Sequence, residues 1–213
     1  LNEMEIRFLQ HQMNPHFLFN VLLTIQIKAK RSGNETIYKM VSKLSALLRA
    51  SIYTNNVDRI TVGEELEYTE FYLYLQKMRF EDRFFYKIIV EDEELKKSII
   101  PKFVIEPIVE NAVIHGIENI ENEGVIRIVL KKMGTDLLVT VQDNGAGFDV
   151  KEYFNSLEQA ENGSSREKIG LKNVDLRLRH IYGEEYRIKI KSKINTGTTI
   201  YIKIPIEERE ENV

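Results

Sequence analysis

The chain contains no cysteine, which excludes disulfides, thiolate metal sites and cysteine nucleophiles. No apolar run approaches the roughly 18–20 residues needed to span a bilayer as a helix, and no signal peptide is visible. Positive charge is not in excess either: 30 Lys and Arg against 33 Asp and Glu leave a net charge of -3. That balance argues against a nucleic-acid-binding surface. An initiator methionine is also lacking, and Leu1 already stands in a helical pattern, so the sequence is expected to be a fragment of something longer. What remains is an ordinary globular mixture, 43% hydrophobic and 30% charged over 213 residues, long enough for one large or two small domains.

Near the start, Gln12-Met13-Asn14-Pro15-His16-Phe17-Leu18-Phe19-Asn20 packs a histidine, two asparagines and a proline into an apolar run. Ile6, Leu9 and Met13 precede it at helical spacing, and Val21, Leu22 and Ile25 come after it. Residues 3–30 therefore read as one long helix, kinked at Pro15, where a backbone donor is missing. His16 and Asn20 lie four apart, on one face just past the kink. A solvent-reachable imidazole there can act as a nucleophile; a packed or surface histidine beside a kink is the plainer alternative.

Ser32-Gly33-Asn34 reads as a turn with Asn34 as N-cap. Ile37, Met40, Val41, Leu44, Leu47, Leu48 and Ile52 then form the stripe of a second amphipathic helix. A two-helix hairpin cannot bury its apolar faces alone, and pairing two copies into a four-helix bundle is the economical solution. A homodimer is thus implied. Residues 53–62 are polar and turn-rich, which places a boundary between a domain over 1–57 and another over 58–213.

In the second domain, Glu64 to Arg79 reads as a helix and Phe84–Val90 as a strand. Pro101 suits the first turn of a helix running to about Ile117, with Pro107 bending or restarting it. Two alternating strands come next, around Ile126–Leu130 and Leu137–Val141. Residues 149–168 read as a mobile loop. Leu171, Val174, Leu178 and Ile181 mark a helix ending at Gly183, and Ile188 to Ile204 read as a hairpin across Asn195-Thr196-Gly197. The fold class is α+β, a helical hairpin followed by an α/β sandwich with its helices on one sheet face.

Three stretches of that sandwich carry chemistry. In Glu110-Asn111-Ala112-Val113-Ile114-His115-Gly116 a neutral amide projects from an apolar helix. One amide oxygen can be enough protein for Mg²⁺, which keeps waters and phosphate oxygens as its other ligands. In Asp143-Asn144-Gly145-Ala146-Gly147 a carboxylate able to accept from an amino group stands beside glycines that permit close backbone approach. Ile169-Gly170-Leu171-Lys172-Asn173-Val174 opens a helix whose N-terminus favours phosphate. Taken alone, each stretch is more often a turn or a hydrogen-bonded structural residue than a site.

In this order, the three stretches resemble the N, G1 and G2 boxes of the Bergerat-type ATP-binding fold, and Gly197-Thr198-Thr199 looks like its closing element. With Asn14-Pro15-His16-Phe17-Leu18-Phe19-Asn20 upstream, the whole from about Leu9 to Pro205 resembles the LytS/YesM-like sensor histidine kinases. Glu64-Glu65-Leu66-Glu67 and Gln76-Lys77-Met78-Arg79-Phe80 are a linking segment typical of that branch. The resemblance implies ATP and Mg²⁺ in the second domain, His16 attacking the γ-phosphorus, and transfer to an aspartate of a response regulator. It implies Asn111 on the metal, Asp143 on the adenine, and Gly145, Gly147 and Gly170 in close approach. His115, Lys168, Leu171 and Thr198 join that nucleotide set, and Asn20 stands beside His16. It also implies the cytoplasmic part of a bacterial membrane protein whose membrane segments lie outside this sequence. Phe17 stands where many histidine kinases carry an acid, Ile114 where a lysine is frequent, and Lys168 where the G2 box often has glycine. A Bergerat-type ATP hydrolase, with Glu106 or Glu110 as base because Pro107 cannot serve, and a non-catalytic dimeric nucleotide-binding scaffold are the competing readings.

Overall fold

The computed structural model describes residues 15–53, 59–153 and 169–207. They belong to two compact units, Leu1–Val57 and Asp58–Val213.

The first unit is a helical hairpin of α1 (Pro15–Arg31) and α2 (Glu35–Tyr53). Pro15 is the first described residue of α1, so the expected kink and the helical stretch before it, including His11, lie outside the described residues. Gly33 makes the turn at φ +69°, and the Asn34 carboxamide oxygen accepts from the Ile37 N–H at 3.0 Å, capping α2 as expected. Lys28, Lys30 and Arg31 occupy the last turn of α1, where the helix dipole favours cations. Leu22, Ala29 and Val41 are buried between the helices, and Gln26 donates to Ser42 across them at 2.6 Å. Val21, Leu23, Ile25, Ile27 and Ile37 remain exposed on the hairpin.

The second unit begins with β1 (Arg59–Thr61) and α3 (Val62–Phe80). Thr61 and Glu64 form a capping box: the Thr61 hydroxyl accepts from the Glu64 N–H at 3.1 Å and the Glu64 carboxylate accepts from the Thr61 N–H at 2.8 Å. After β2 (Phe84–Val90) come β3 (Ile99–Pro101) and α4 (Glu106–Asn111), which continues as a π-turn over Ala112–Gly116. Beyond it lie β4 (Gly124–Met133), β5 (Asp136–Asp143), α5 (Ile169–Tyr182), β6 (Lys189–Lys193) and β7 (Gly197–Pro205). The main sheet runs β2-β4-β5-β7-β6. β2 and β4 are parallel, pairing Phe84 with Gly124, and the other pairs are antiparallel.

Alternation of side chains decides which sheet face is covered. Ile126, Ile128 and Leu130 of β4, Leu137, Val139 and Val141 of β5, and Ile200, Ile202 and Ile204 of β7 all point inward and are buried. The helices cover them with Leu66 and Leu73 of α3, Ile108 and Val109 of α4, and Leu171, Val174 and Leu178 of α5. The result is the expected α+β layering, with helices packed on one face of a mixed sheet.

Pro101 departs from its expected place. It ends β3 in a small two-stranded ribbon, opposite Arg59 of β1, where a residue without an N–H is tolerated. The helix starts only at Glu106, with Pro107 in its first turn. β1 itself falls within the expected polar boundary. Residues 150–153 are helical, started by Asp149, whose carboxylate accepts from the Lys151 and Glu152 N–H groups; the rest of the expected loop, 154–168, lies outside the described residues.

Candidate functional site

Where β5 ends, the chain must leave the sheet beside the π-turn, and glycine makes this possible. A Cβ on Gly145 would overlap the backbone of Gly116. Gly147 sits at φ +60°, and a Cβ there would overlap the Lys193 carbonyl. The close approach these two residues permit is therefore to protein backbone, and neither lines the cavity they help to enclose. A π-turn widens the helix locally and turns its side chains by an extra fraction of a turn, a feature frequent at functional sites.

The cavity is mostly apolar, walled by Ile108 and Ala112, by Val141 and Ile200 of the sheet, and by Leu171 at the start of α5. Its volume of about 180 Å³ is below the roughly 300–1,000 Å³ of pockets enclosing a whole drug-sized ligand. It suits one end of such a ligand. Asn111, His115, Asp143 and Thr198 bring the polar groups. Of the residues expected from sequence to hold a nucleotide, Asn111, His115, Asp143, Leu171 and Thr198 thus share one cavity. Gly170 lines an adjoining cavity with Phe103, Pro107, Asn173, Val174 and Arg177, and a Cβ there would come within 3.3 Å of the Asn111 amide nitrogen. Lys168 lies outside the described residues. His16 and Asn20 belong to the first unit, on α1, where Asn20 is exposed.

Asp143 is only 7% exposed. Its Oδ1 accepts from the Gly145 N–H at 2.8 Å and the Thr198 N–H at 3.2 Å. Oδ2 has no hydrogen bond among the described residues. Burial pushes the carboxyl up from 3.8 to about 6, and the two N–H groups partly oppose that rise. Near neutral pH the result is an ionised carboxylate in an apolar cavity with one oxygen to offer. Gly116 makes room for it, since a Cβ there would stand 3.0 Å from Oδ1.

Asn111 donates its amide N–H to the Pro107 carbonyl at 2.9 Å. The nitrogen is thereby occupied and the carboxamide oxygen is the atom left for a ligand, an orientation assigned through that hydrogen bond. Phe148 and Tyr153 complete the wall, their ring centroids 5.1 Å apart. Neither is singled out by the sequence, because two aromatics in a polar stretch match no periodic pattern.

Glu106 and Glu110 do not line the cavity. They act instead on Tyr72 of α3, whose hydroxyl is pushed up by burial and then by these two charges. Glu106 itself is pushed up to about 7 by burial, then by Glu110 and Glu65. Neither of the two glutamates expected from sequence as a base for water therefore stands in the cavity wall.

Comparison with known proteins matches this architecture in two parts. The model of the family described as histidine kinase matches residues 4–84, and that of the histidine kinase-, DNA gyrase B-, and HSP90-like ATPases matches residues 97–208. The sensor histidine kinase YesM of Bacillus subtilis is 37% identical over 205 residues, which is 96% of this chain and 34% of that protein. The sensor protein LytS of Staphylococcus haemolyticus is 32% identical over 213 residues, all of this chain and 36% of that protein. The chain thus spans about a third of the length of these relatives. Among solved structures, the histidine kinase domain from the Erythrobacter litoralis EL346 blue-light activated histidine kinase shares the fold, with a TM-score of 0.52 at 15% identity. That match covers 92% of this chain and 99% of the other.

Proposed function

Because the chain belongs to the sensor histidine kinases, with the ATPase module they share with DNA gyrase B and HSP90, we propose that it takes the γ-phosphoryl group of ATP onto His16 and passes it to an aspartate of a response regulator. The observation that carries the nucleotide half is Asp143, a buried carboxylate with one oxygen free inside an apolar cavity. Such an oxygen accepts from the exocyclic amino group of adenine, while the apolar walls take the faces of the base. The donor set fits the rest. The Asn111 oxygen would hold Mg²⁺, and the start of α5, brought against Asn111 by Gly170, is where the N–H groups and helix dipole favour phosphate. When bound, Mg²⁺ supplies charge neutralisation at the phosphate oxygens. Thr198 orients Asp143 through its N–H, and His115 stands on the same wall, four residues after Asn111.

In the transfer, an imidazole nitrogen of His16 forms a bond to the γ-phosphorus as the bond to the bridging oxygen breaks. ADP leaves with that electron pair, and the imidazole N–H proton goes to solvent. Catalysis of such a loose transfer is mainly positioning and charge neutralisation. A hydrolase reading is disfavoured because neither Glu106 nor Glu110 lines the cavity. A scaffold reading is disfavoured by a cavity that keeps a buried, ionisable carboxylate, which an idle site has no reason to hold.

Calorimetric titration tests this. ATP is expected to bind more tightly with Mg²⁺ than with chelator, and Asn111→Ala should remove that difference while weak Mg-free binding remains. Equal affinities in the native protein with and without Mg²⁺ would contradict the assignment of Asn111.

We further propose that the first unit pairs with a second copy. The apolar side chains that the hairpin leaves exposed, Val21, Leu23, Ile25 and Ile27 of α1 and Ile37 of α2, support this. Light scattering at micromolar concentration should report a dimer; a monomer with a cooperative melt would contradict the pairing. No helix among the described residues is long and apolar enough to cross a membrane, and the kinase is proposed to work on the cytoplasmic side, where ATP is.

A further inference from the structure

Glu65 is a carboxylate with no exposure at all, placed on α3 in the apolar core. Its oxygens accept four backbone N–H groups from one short stretch of chain about forty residues away. Oε2 accepts from Phe103 at 2.9 Å. Oε1 accepts from Val104 at 2.8 Å, Ile105 at 2.9 Å and Glu106 at 3.3 Å. The chain bends around the carboxylate to do this, and Phe103 adopts φ +59°, a region that non-glycine residues rarely enter. Lys102, only 8% exposed, adds a compensating charge nearby.

The last of these donors, Glu106, opens α4, and the other three lie in the bend that leads into it. Ile105 at its N-cap has no side-chain acceptor, so Glu65 supplies from another helix the cap that the local sequence lacks. Asn111 lies five residues after Glu106, on that same helix. Glu65 also belongs to the first helix of the second unit, in the turn after the Thr61 cap. The arrangement has a cost, because the Glu65 charge helps to hold the neighbouring Glu106 carboxyl up near 7. Stability of the fold alone would be served as well by an apolar side chain at 65 and a local cap at 105.

We propose that Glu65 is a positioning residue: by gathering the N–H groups of 103–106 it sets the start and orientation of α4, and through it the Asn111 oxygen that takes Mg²⁺ with ATP. This rests on the proposed role of Asn111 as the metal ligand. Removing one acceptor oxygen should therefore act on the metal-dependent part of nucleotide binding and leave the Asp143 end of the cavity alone.

Glu65→Gln is the informative variant. It keeps Oε1 for three donors, but turns an amide N–H₂ onto the Phe103 N–H, and its size is unchanged. ATP affinity is measured by calorimetry with Mg²⁺ and with chelator, at a temperature where circular dichroism shows the variant folded. The Mg²⁺-dependent gain in affinity should fall by about 10- to 100-fold, the scale of lost outer-shell support to a metal ligand. Mg-free affinity should hold. Glu65→Ala should show the same split more strongly, and if it does not fold, Glu65→Gln alone decides. An unchanged Mg²⁺-dependent gain in folded Glu65→Gln would overturn the inference, as would an equal loss with and without the metal. Native protein indifferent to Mg²⁺ would overturn the role of Asn111 and this inference with it.

Discussion

Replacing His16 by glutamine is expected to abolish transfer of label from γ-labelled ATP to the chain while ATP affinity stays as in the native protein. The two effects separate because His16 belongs to the first unit and the proposed nucleotide cavity to the second. The other histidines have different explanations. His180 stands in the last turn of α5, where a cation is favoured by the helix dipole. His115 lines the cavity, where its proposed role is to assist nucleotide binding. His11 lies outside the described residues and precedes the Asn14-Pro15-His16 stretch that carries the family resemblance. Gel analysis of labelled His16→Gln, beside calorimetry on the same sample, checks both halves. Label that persists, or that disappears only in His11→Gln, would move the acceptor away from His16.

Asp143→Asn is expected to act in opposite directions on stability and on binding. In the folded state the Asp143 carboxyl titrates at about 6, against 3.8 without burial. Between those pH values the folded chain holds more proton than the unfolded one. Stability from this group therefore falls as pH rises from about 4 to 6, and the penalty is complete above that. At about 1.36 kcal/mol per unit the whole shift is worth ~3 kcal/mol. Asparagine keeps an oxygen for the Gly145 and Thr198 N–H groups and carries no charge to desolvate. Ligand-free Asp143→Asn should consequently gain roughly 1–2 kcal/mol at pH 7.5, and its melting temperature should vary less with pH between 4 and 6. ATP binding should weaken by roughly 1–3 kcal/mol, since the charge-assisted bond to the adenine amino group is lost. In the native protein ATP affinity should decline as pH falls below 6. A variant that is less stable and binds ATP undiminished would contradict the cavity as the adenine site.

Much of this architecture is readable from periodicity. The alternation in β4, β5 and β7 is dictated by burial of one sheet face, so composition and spacing suffice. Asn34 and Gly183 begin or end helices by local chemistry, and are legible for that reason. Pro101 misleads because proline fixes its own backbone angle but not the conformation of the residues after it, and β1 is too short to alternate. The π-turn has no sequence signal: it arises where Gly116 must meet Gly145 and make room for Asp143, which are tertiary contacts. Gly145 and Gly147 stand out in the sequence, yet the approach they allow is to Gly116 and Lys193. Glu65 is legible only as part of a family-like segment. Its role depends on donors about forty residues away, and a sequence window does not contain them. Phe148 and Tyr153 become part of the site through the fold of the segment after β5, which no local pattern announces.

Incubation of the native chain with γ-labelled ATP and Mg²⁺, followed by acid and alkali treatment of the recovered protein, shows whether a histidine of this chain takes the phosphoryl group. A phosphoramidate on histidine is lost in acid and survives alkali. Label with that behaviour is expected, retained on the chain and located to the peptide containing His16. Label that survives acid, or release of free phosphate with none on the chain, would contradict it.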